Sequence, residues 1–463
     1  MPSRLGRLRL PAQVRGARGF PLPVDHRRHA RKRLRHRKVL QLRRDQVALH
    51  QAPLPDPEPL RPDPRLKPQG QGNLADGPKD SMSEIADLLP DLVALRRDIH
   101  QNPELGFCEH RTAARIAAEL RASGIEVHEG IGTTGLVGVL KGTREGTRSL
   151  GLRADMDALP IHEQTNLPWA SRTPGTFHGC GHDGHVAMLL GAARVLAADP
   201  DFAGTVNFIF QPAEEGQGGA RVMIEEGLFD RFPCDRVYAL HNWPGLPAGT
   251  ISTRPGAIMG AADKFRIALV GKGGHAAIPQ DSPDAILAAA SLVQQLNTIV
   301  SRAVPPYAAA VLSITEIHGG HAHNVIPAEV MVGGTVRTFD PAVQDRIEER
   351  MRAMLKGIEA SFEVECALDY DRYYPATIND PQAAADALEV AATVARAELA
   401  PEPAPTSEDF SFMLQQRPGA YIWLGQGTQG HAAPLHNPHY DFNDGVMETG
   451  IRLHVALARH WLG

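Results

Sequence analysis

His178-Gly179-Cys180-Gly181-His182-Asp183-Gly184-His185 sets three imidazoles, one thiol and one carboxylate within eight residues, spaced by three glycines. Glycine accepts positive φ and lets the backbone approach closely, so several side chains can converge on one point. Cysteine and histidine together are soft ligands for a transition metal. Alone, the run reads either as a metal-binding turn or as a His-rich surface loop. The sequence on either side decides between them.

Downstream of the run, Val186–Ala198 has the apolar density of a buried helix. Upstream, Ile85, Leu88, Leu89, Leu92, Leu95 and Ile99 recur at helical spacing before Pro103, and a second helix is expected at about 111–122, ended by Gly124. Short apolar runs alternate with these helices: Leu136–Leu140, Ser149–Met156, Thr205–Phe210 and Arg236–Leu240 read as buried strands. The alternation predicts an α/β domain with a mostly parallel central sheet. From about 262 to 374 the texture changes. Strands at Lys264–Val270, Ala308–Ile314 and Glu329–Arg337 accompany helices at Asp284–Val300 and Val343–Glu359, which predicts an inserted α+β domain. The α/β pattern then resumes, with helices at 382–398 and 408–415, a strand at Tyr421–Leu424 and a closing helix after Asp444. The expected organisation is an extension over 1–81, a first catalytic part over 82–261, the insertion over 262–374 and a second catalytic part over 375–463.

Candidate functional residues gather at the strand ends. Asp155 and Asp157 end one strand, Glu214 and Glu215 follow Phe208-Ile209-Phe210, and His241 follows Tyr238-Ala239-Leu240. Open α/β sheets bind ligands beyond the carboxyl ends of their strands, so these groups can meet there. Cys180 and His182 offer two ligands, and the adjacent side chains of Glu214 and Glu215 diverge, so one can hold a metal while the other faces water. His241 and His436 add imidazoles. Two metals a few ångströms apart would acidify water and polarise a carbonyl, as amide hydrolysis requires, and a free carboxylate would carry the proton to the leaving amine.

Composition bounds the alternatives. A chain of 463 residues with 43% hydrophobic content is long enough for two domains. No apolar run reaches the ~20 residues that span a bilayer, so no membrane partner is expected. Cys108, Cys180, Cys234 and Cys366 are scattered without a C-x-x-C pair, which points to a reducing, cytoplasmic compartment. Residues 1–80 hold 19 Lys and Arg against 7 Asp and Glu, while the rest holds 29 against 46. This head, with Arg31-Lys32-Arg33-Leu34-Arg35-His36-Arg37-Lys38, reads as a nucleic-acid or anionic-membrane arm, a transit peptide, or a disordered Pro-rich extension. The last is preferred, because Met82 immediately precedes a well-patterned helix and is the natural start to expect. No nucleic-acid partner is expected.

Several blocks carry a family resemblance: Leu152-Arg153-Ala154-Asp155-Met156-Asp157-Ala158-Leu159-Pro160, His178–His185, Phe210-Gln211-Pro212-Ala213-Glu214-Glu215-Gly216, Gly271-Lys272-Gly273-Gly274-His275-Ala276-Ala277, Asn324-Val325-Ile326-Pro327-Ala328 and Ser407-Glu408-Asp409-Phe410. From about residue 84 onward the chain resembles the M20 metallopeptidases, in the amidohydrolase branch of hippurate hydrolases, N-acyl-amino-acid amidohydrolases and auxin-conjugate hydrolases. The resemblance implies two divalent ions, manganese or zinc first and cobalt or nickel next, on Cys180, His182, Glu215, His241 and His436. It implies Glu214 as general base and Asp157 as the carboxylate that orients a ligand histidine. Asp155 matches the place where other branches have a ligand histidine. The insertion resembles a dimerisation lid, so a homodimer or higher homo-oligomer is implied. His275 matches a histidine that assists the scissile carbonyl, often from the partner subunit. Asn324 and Arg337 match positions around the substrate carboxylate, Arg337 being otherwise a strand-surface arginine. His321 and His323 read as loop residues, and Glu408 and Asp409 either line the cleft or begin a helix.

The implied activity is hydrolysis of an N-acyl amino acid, hippurate-like first, to a carboxylate and a free amino acid. N-acetyl-amino-acid or N-acetyl-diaminopimelate deacetylation comes second. The readings outside enzymology are a protein that binds amino-acid conjugates without turnover, or a nucleic-acid-binding protein with a structural metal.

Overall fold

A computed structural model describes residues 81–463. The expected extension, with its Arg31–Lys38 run, lies outside the described residues except for Ser81. The first helix, α1 (Ser81–Gln101), tolerates Pro90 in its interior, at the loss of one backbone hydrogen bond. It is followed by α2 (His110–Ala122) and the strands β1 (Glu126–Ile131), β2 (Gly135–Lys141) and β3 (Arg144–Asp155). Next come α3 (His182–Ala198), β4 (Ala203–Gln211), β5 (Arg236–Pro244) and β6 (Ile251–Thr253).

Residues 261–374 make a second sheet from β7 (Ala261–Val270), β8 (Ala310–Gly319), β9 (Glu329–Thr338) and β10 (Glu365–Tyr374), with helices α4 (Ala285–Ala303) and α5 (Pro341–Phe362). The chain then returns through α6 (Pro381–Val394), β11 (Ala397–Leu399), α7 (Phe410–Gln416), β12 (Gly419–Gly427) and α8 (Met447–Leu462).

The large sheet has eight strands in the order β1-β2-β4-β3-β5-β12-β6-β11. Its centre, β4-β3-β5-β12, is parallel. Antiparallel pairs occur at β1–β2, β2–β4 and β12–β6. The central strands are near-continuous apolar runs because both faces are covered. Along them the side chains alternate between two cores. Leu152, Phe208, Phe210, Tyr238, Leu240 and Ile422 pack under the long helices. Ile209, Val237, Ala239, Tyr421 and Trp423 pack against Met223, Phe410 and Met413. The period-two alternation brings Asp155, the β4 turn and His241 out at one end of the sheet.

The smaller sheet runs β8-β9-β7-β10, antiparallel throughout. Helices α4 and α5 bury Leu292, Leu296, Ile347 and Met351 against Phe265, Ile267, Leu269 and Val332, a core of its own. Asp284 and Asp340 cap these helices by accepting backbone N–H groups of their first turns. No helix among the described residues is long and apolar enough to cross a membrane.

Three elements depart from expectation. Helix α3 begins at His182 rather than Val186, because Gly181 at φ 89° turns the chain directly into the helix. Strand β5 runs past Leu240, so His241 lies within it. The helix expected over 382–398 stops at Val394, and Ala397–Leu399 instead adds a parallel strand beside β6, where pairing outweighs helix propensity.

Gly184, inside α3, tests how tightly this arrangement is packed. Alanine should favour the helix by about 1 kcal/mol, but a Cβ there would overlap the ring of Phe442, itself 1% exposed. Overpacking of this kind costs about 1–3 kcal/mol. Gly184→Ala is therefore expected to lower the urea-unfolding midpoint; a rise would show that the ring has room to move.

Candidate metal centre and active site

Gly181 is the local reason that Cys180 and His182 face the same space. Its left-handed backbone suits glycine, and a Cβ would collide with the Asn242 amide and the Tyr440 hydroxyl. Asn242 Nδ2 donates to the Cys180 carbonyl at 2.8 Å, and Tyr440 donates to Asn242 Oδ1 at 2.9 Å, which fixes the turn. Across the sheet end, Cys180 Sγ lies 3.5 Å from His241 Nε2.

Two histidines are oriented by what their outer nitrogens touch. His182 Nδ1 donates to the Asp157 carbonyl at 2.9 Å and lies 3.2 Å from its Oδ1, so the lone pair of Nε2 faces inward. His241 Nδ1 donates to the Asn242 carbonyl at 2.7 Å and likewise frees Nε2. His182 Nε2 is 3.9 Å from Glu215 Oε1, and His436 Nε2 is 3.2 Å from that same oxygen. His436 enters from a loop after β12 with φ 65°. Donor atoms of Cys180, Glu215 and His436 lie within 4.8 Å of one another, as do those of His182, Glu214 and Glu215, and those of Asp155, His182, His185 and His241.

The electrostatics call for a cation. Burial would lower His182, yet Asp155, Asp157 and Glu215 outweigh it and raise the imidazole to about 10. Burial, then Glu215 and Glu214, push the Cys180 thiol well up. Glu214 is raised by burial and by Glu408, Glu215 and Asp409, so it takes up a proton readily. His182 Nε2 is buried without a hydrogen-bond partner, and Glu215 Oε1 meets only the rings of His436 at 3.2 Å and His182 at 3.9 Å. Unpaired polar atoms at a focus of negative charge are what a divalent metal satisfies.

These groups floor a cavity of about 600 Å³. Cys180, Glu214, Glu215, His241 and His436 line it, and Trp243, Met259, Tyr421 and Leu435 give it an apolar wall. Arg337 reaches it from β9 and has no carboxylate partner among the described residues; its guanidinium bonds Thr335 and the Val336 carbonyl. Asp157 stands behind His182 and accepts the Glu215 N–H at 2.9 Å. His275 and Asn324 do not line the cavity in this chain. They meet on an exposed two-strand pairing of residues 274–275 with 325–326, where the Asn324 carbonyl accepts the Ala276 N–H. His321 and His323 are exposed beside them.

Beneath the floor lies a network whose roles were not assigned from sequence. Arg153, 1% exposed, donates to Asp155 at 2.6 Å, Glu408 at 2.9 Å, Asp409 at 3.2 Å and Gln211 at 2.8 Å. Tyr421 donates to Glu408, and the Asp409 N–H faces Glu214 Oε1 at 3.4 Å. Glu408 and Asp409 thus do both things considered for them: Glu408 lines the cavity, and α7 begins directly after Asp409. His185 receives the Asn242 N–H on Nε2 at 3.0 Å and donates from Nδ1 to Asp155 at 2.6 Å, so Asp155 is held between an arginine and a histidine. The available signals were the Arg153-x-Asp155 spacing and His185 one helical turn after His182.

With this geometry in place, comparison with known proteins is decisive. Residues 151–460 match the model of Peptidase family M20/M25/M40. The chain belongs to that family. This M20 chain is 40% identical over 382 residues to a hippurate hydrolase of Campylobacter jejuni, which covers 82% of this chain and 98% of that one. It is 38% identical over 370 residues to an N-acetylcysteine deacetylase of Bacillus subtilis, covering 79% and 96%. Among solved structures it resembles the Bacillus subtilis YXEP protein, described as a dinuclear metal-binding peptidase from the M20 family. That likeness has a TM-score of 0.72 at 34% identity, over 81% of this chain and 99% of that one.

The M20 turn is braced from behind by a buried ion cluster. Asp183, beside His182, accepts from His100 Nδ1 at 2.8 Å and Arg96 at 3.2 Å, while His100 Nε2 faces Glu163 at 3.4 Å. Burial would lower His100, but Asp183 and Glu163 outweigh it and raise the imidazole to about 9. A folded value above the ordinary 6.5 means that the protonated ring stabilises the fold fully below about pH 6.5 and loses that contribution as pH rises through 9. The urea midpoint of the unaltered protein is expected to exceed that of His100→Gln at pH 6 and to converge towards it by pH 10. A gap independent of pH would show that the ring is neutral throughout.

Proposed function

We propose that the protein is a metal-dependent amidohydrolase that cleaves the amide of an N-acyl amino acid, releasing a carboxylic acid and the free amino acid. The observation that carries this reading is the convergence of a Cys, His and Glu donor set with a second, free carboxylate on one apolar-walled cavity. Hippurate-like benzoyl-glycine is the first substrate, in keeping with the likeness to hippurate hydrolase. Deacetylation of N-acetyl amino acids or N-acetyl-diaminopimelate is the second reading, favoured by the likeness to the N-acetylcysteine deacetylase.

Cys180, His182, Glu215, His241 and His436 are the proposed ligands of two divalent ions, which would supply carbonyl polarisation and acidify water. Thiolate softness favours zinc, while the carboxylate and imidazoles suit manganese equally and also admit cobalt or nickel. Glu214 takes the proton of the attacking water and returns it to the leaving nitrogen, with the Asp409 N–H steadying its carboxylate. Asp157 keeps the His182 tautomer. Arg337, which has no carboxylate partner among the described residues, receives the substrate carboxylate, and Trp243, Met259 and Leu435 receive the acyl group. Residues 262–374 serve as a dimerisation lid, through which His275 and Asn324 of a second copy reach the scissile carbonyl and the substrate carboxylate. The free cysteines fit a reducing, cytoplasmic setting.

Glu214→Gln is expected to cut kcat by about 10²–10⁴-fold while elemental analysis finds the metal content unchanged. Retained turnover would remove Glu214 as the base. A panel pairing N-benzoyl with N-acetyl amino acids ranks the two substrate readings; far faster cleavage of the acetyl series would replace the first with the second. For the lid, refolded mixtures of the inactive Glu214→Gln and His275→Ala proteins should recover roughly a quarter of full activity, because a two-fold dimer of the two variants carries one complete site. Mixtures as inactive as their components would confine His275 to its own chain.

A further inference from the structure

The turn that carries Glu214 and Glu215 is held in an unusual backbone path, and one of its anchors comes from the smaller sheet. Ala213 sits at φ 53°, Gly216 at 94° and Gly218 at 72°. A non-glycine residue in that region is strained and persists only where its surroundings fix it. Two anchors belong to the large sheet's own layer: Glu109 Oε1 accepts the Ala213 N–H at 2.8 Å, and Asp157 Oδ2 accepts the Glu215 N–H at 2.9 Å. The third is the phenol of Tyr374, the last residue of β10. It donates to the Glu214 carbonyl at 2.5 Å and accepts the N–H groups of Gly216 at 3.1 Å and Gly218 at 2.9 Å. One hydroxyl thereby uses its donor and both its lone pairs on a single turn.

A defect in β10 aims that ring. The register between β10 and β7 slips between Arg372, opposite Asp263, and Tyr374, opposite Ala262. A bulge re-aims side chains that would otherwise alternate. Here Tyr373 and Tyr374 stack with centroids 4.2 Å apart and planes 8° apart instead of pointing to opposite faces. Lys264 on β7 lies 3.6 Å over the Tyr373 ring and closes the stack from the other side. Tyr374 is 3% exposed and is the last residue of β10, so its phenol links the inserted sheet directly to the turn.

We propose that Tyr374 is a positioning residue whose hydroxyl ties the placement of Glu214 to the seating of the inserted sheet, so that the base is correctly set only while β10 is docked. The proposal rests on the reading of Glu214 as the base. The Tyr374 ring forms part of the cavity wall, but its hydroxyl is fully engaged by the backbone of residues 214–218, and its effect passes through that backbone. Removing the hydroxyl leaves Glu214, its neighbours and the apolar ring in place but frees the turn, so kcat should suffer more than substrate binding.

Tyr374→Phe tests this in the full-length, metal-loaded enzyme with two readouts. Hydrolysis of N-acyl amino acids should show kcat lowered about 10–100-fold with KM within about threefold and metal content unchanged. Hydrogen exchange of the peptide spanning 212–220 should accelerate, because the Gly218 amide loses its acceptor and the Gly216 amide keeps only the Glu214 carbonyl. Faster exchange with unchanged kcat would make the hydroxyl a structural bond alone and overturn the proposal, as would exchange that does not change. If the variant fails to fold, the unaltered enzyme still decides: the Gly218 amide, whose acceptor is the phenol, must be protected, and fast exchange there would refute the latch. Should the unaltered enzyme cleave no N-acyl amino acid, the functional reading falls, while the exchange comparison still reports whether the phenol holds the turn.

Discussion

A single guanidinium beneath the sheet end, that of Arg153, makes the rest of the site possible. It is surrounded by Asp155, Glu408 and Asp409, with Glu214 just beyond, and burial would lower its pKa were those carboxylates not holding it charged. Leaving one member of such a buried set unpaired costs about 3–5 kcal/mol, so the arrangement is kept whole or lost together. The segments it joins are far apart in sequence: β3, the end of β4 through Gln211, and the start of α7. Asp409 also accepts the Ala220 N–H and Gln211 Nε2, which extends the hold to the short helix after the Glu214 turn. The layer reaches the donor groups above it through Asp155, which bonds His185 and lies 3.7 Å from His182 Nε2, and through the Asp409 N–H beside Glu214.

Much of this was legible in the chain itself, for identifiable reasons. The strands of the parallel centre are apolar on both faces and bounded by turn residues, so Thr205–Phe210 and Arg236–Leu240 announce themselves. The residues just after them, Glu214, Glu215 and His241, then fall at the sheet's functional end by topology alone. Of the strands that the sequence does not signal, Glu126–Ile131 and Glu365–Tyr374 have mostly exposed or half-exposed residues and lack an apolar run, and Ile251–Thr253 is only three residues long. The start of α3 was misplaced because His182, Asp183 and Gly184 have little intrinsic helix preference, and only the Gly181 turn commits them. Tyr374 carried no signal beyond its type, and Arg153 and His185 only their spacing to Asp155 and His182. Apart from Asp155, two residues from Arg153, their partners lie 30 to 256 residues away, a distance over which periodicity carries no information.

His275 and Asn324 present the opposite case. Both sit in blocks that stand out in the sequence, yet in one chain they lie together on an exposed strand pairing rather than in the cavity. The two observations fit a site divided between copies. Among the described residues β8 is an edge strand of the smaller sheet, with Val311 and Ile317 exposed on it.

The order in which the large sheet is assembled has a consequence for how the protein is made. Strand β5 is the centre of the site-bearing sheet, yet its second neighbour, β12, comes from Gly419–Gly427, after the whole of the smaller sheet has been synthesised. His436 follows later still. A ribosome therefore releases Cys180, His182, Glu215 and His241 with one side of β5 unpaired and the cavity wall unfinished. The 261–374 segment, which buries a core of its own, separates β5 from β12 in the chain. Throughout translation the nascent chain displays a partial thiol and imidazole cluster to the surrounding pool of ions and oxidants. His436, the last of the donor groups that line the cavity, is made after all the others.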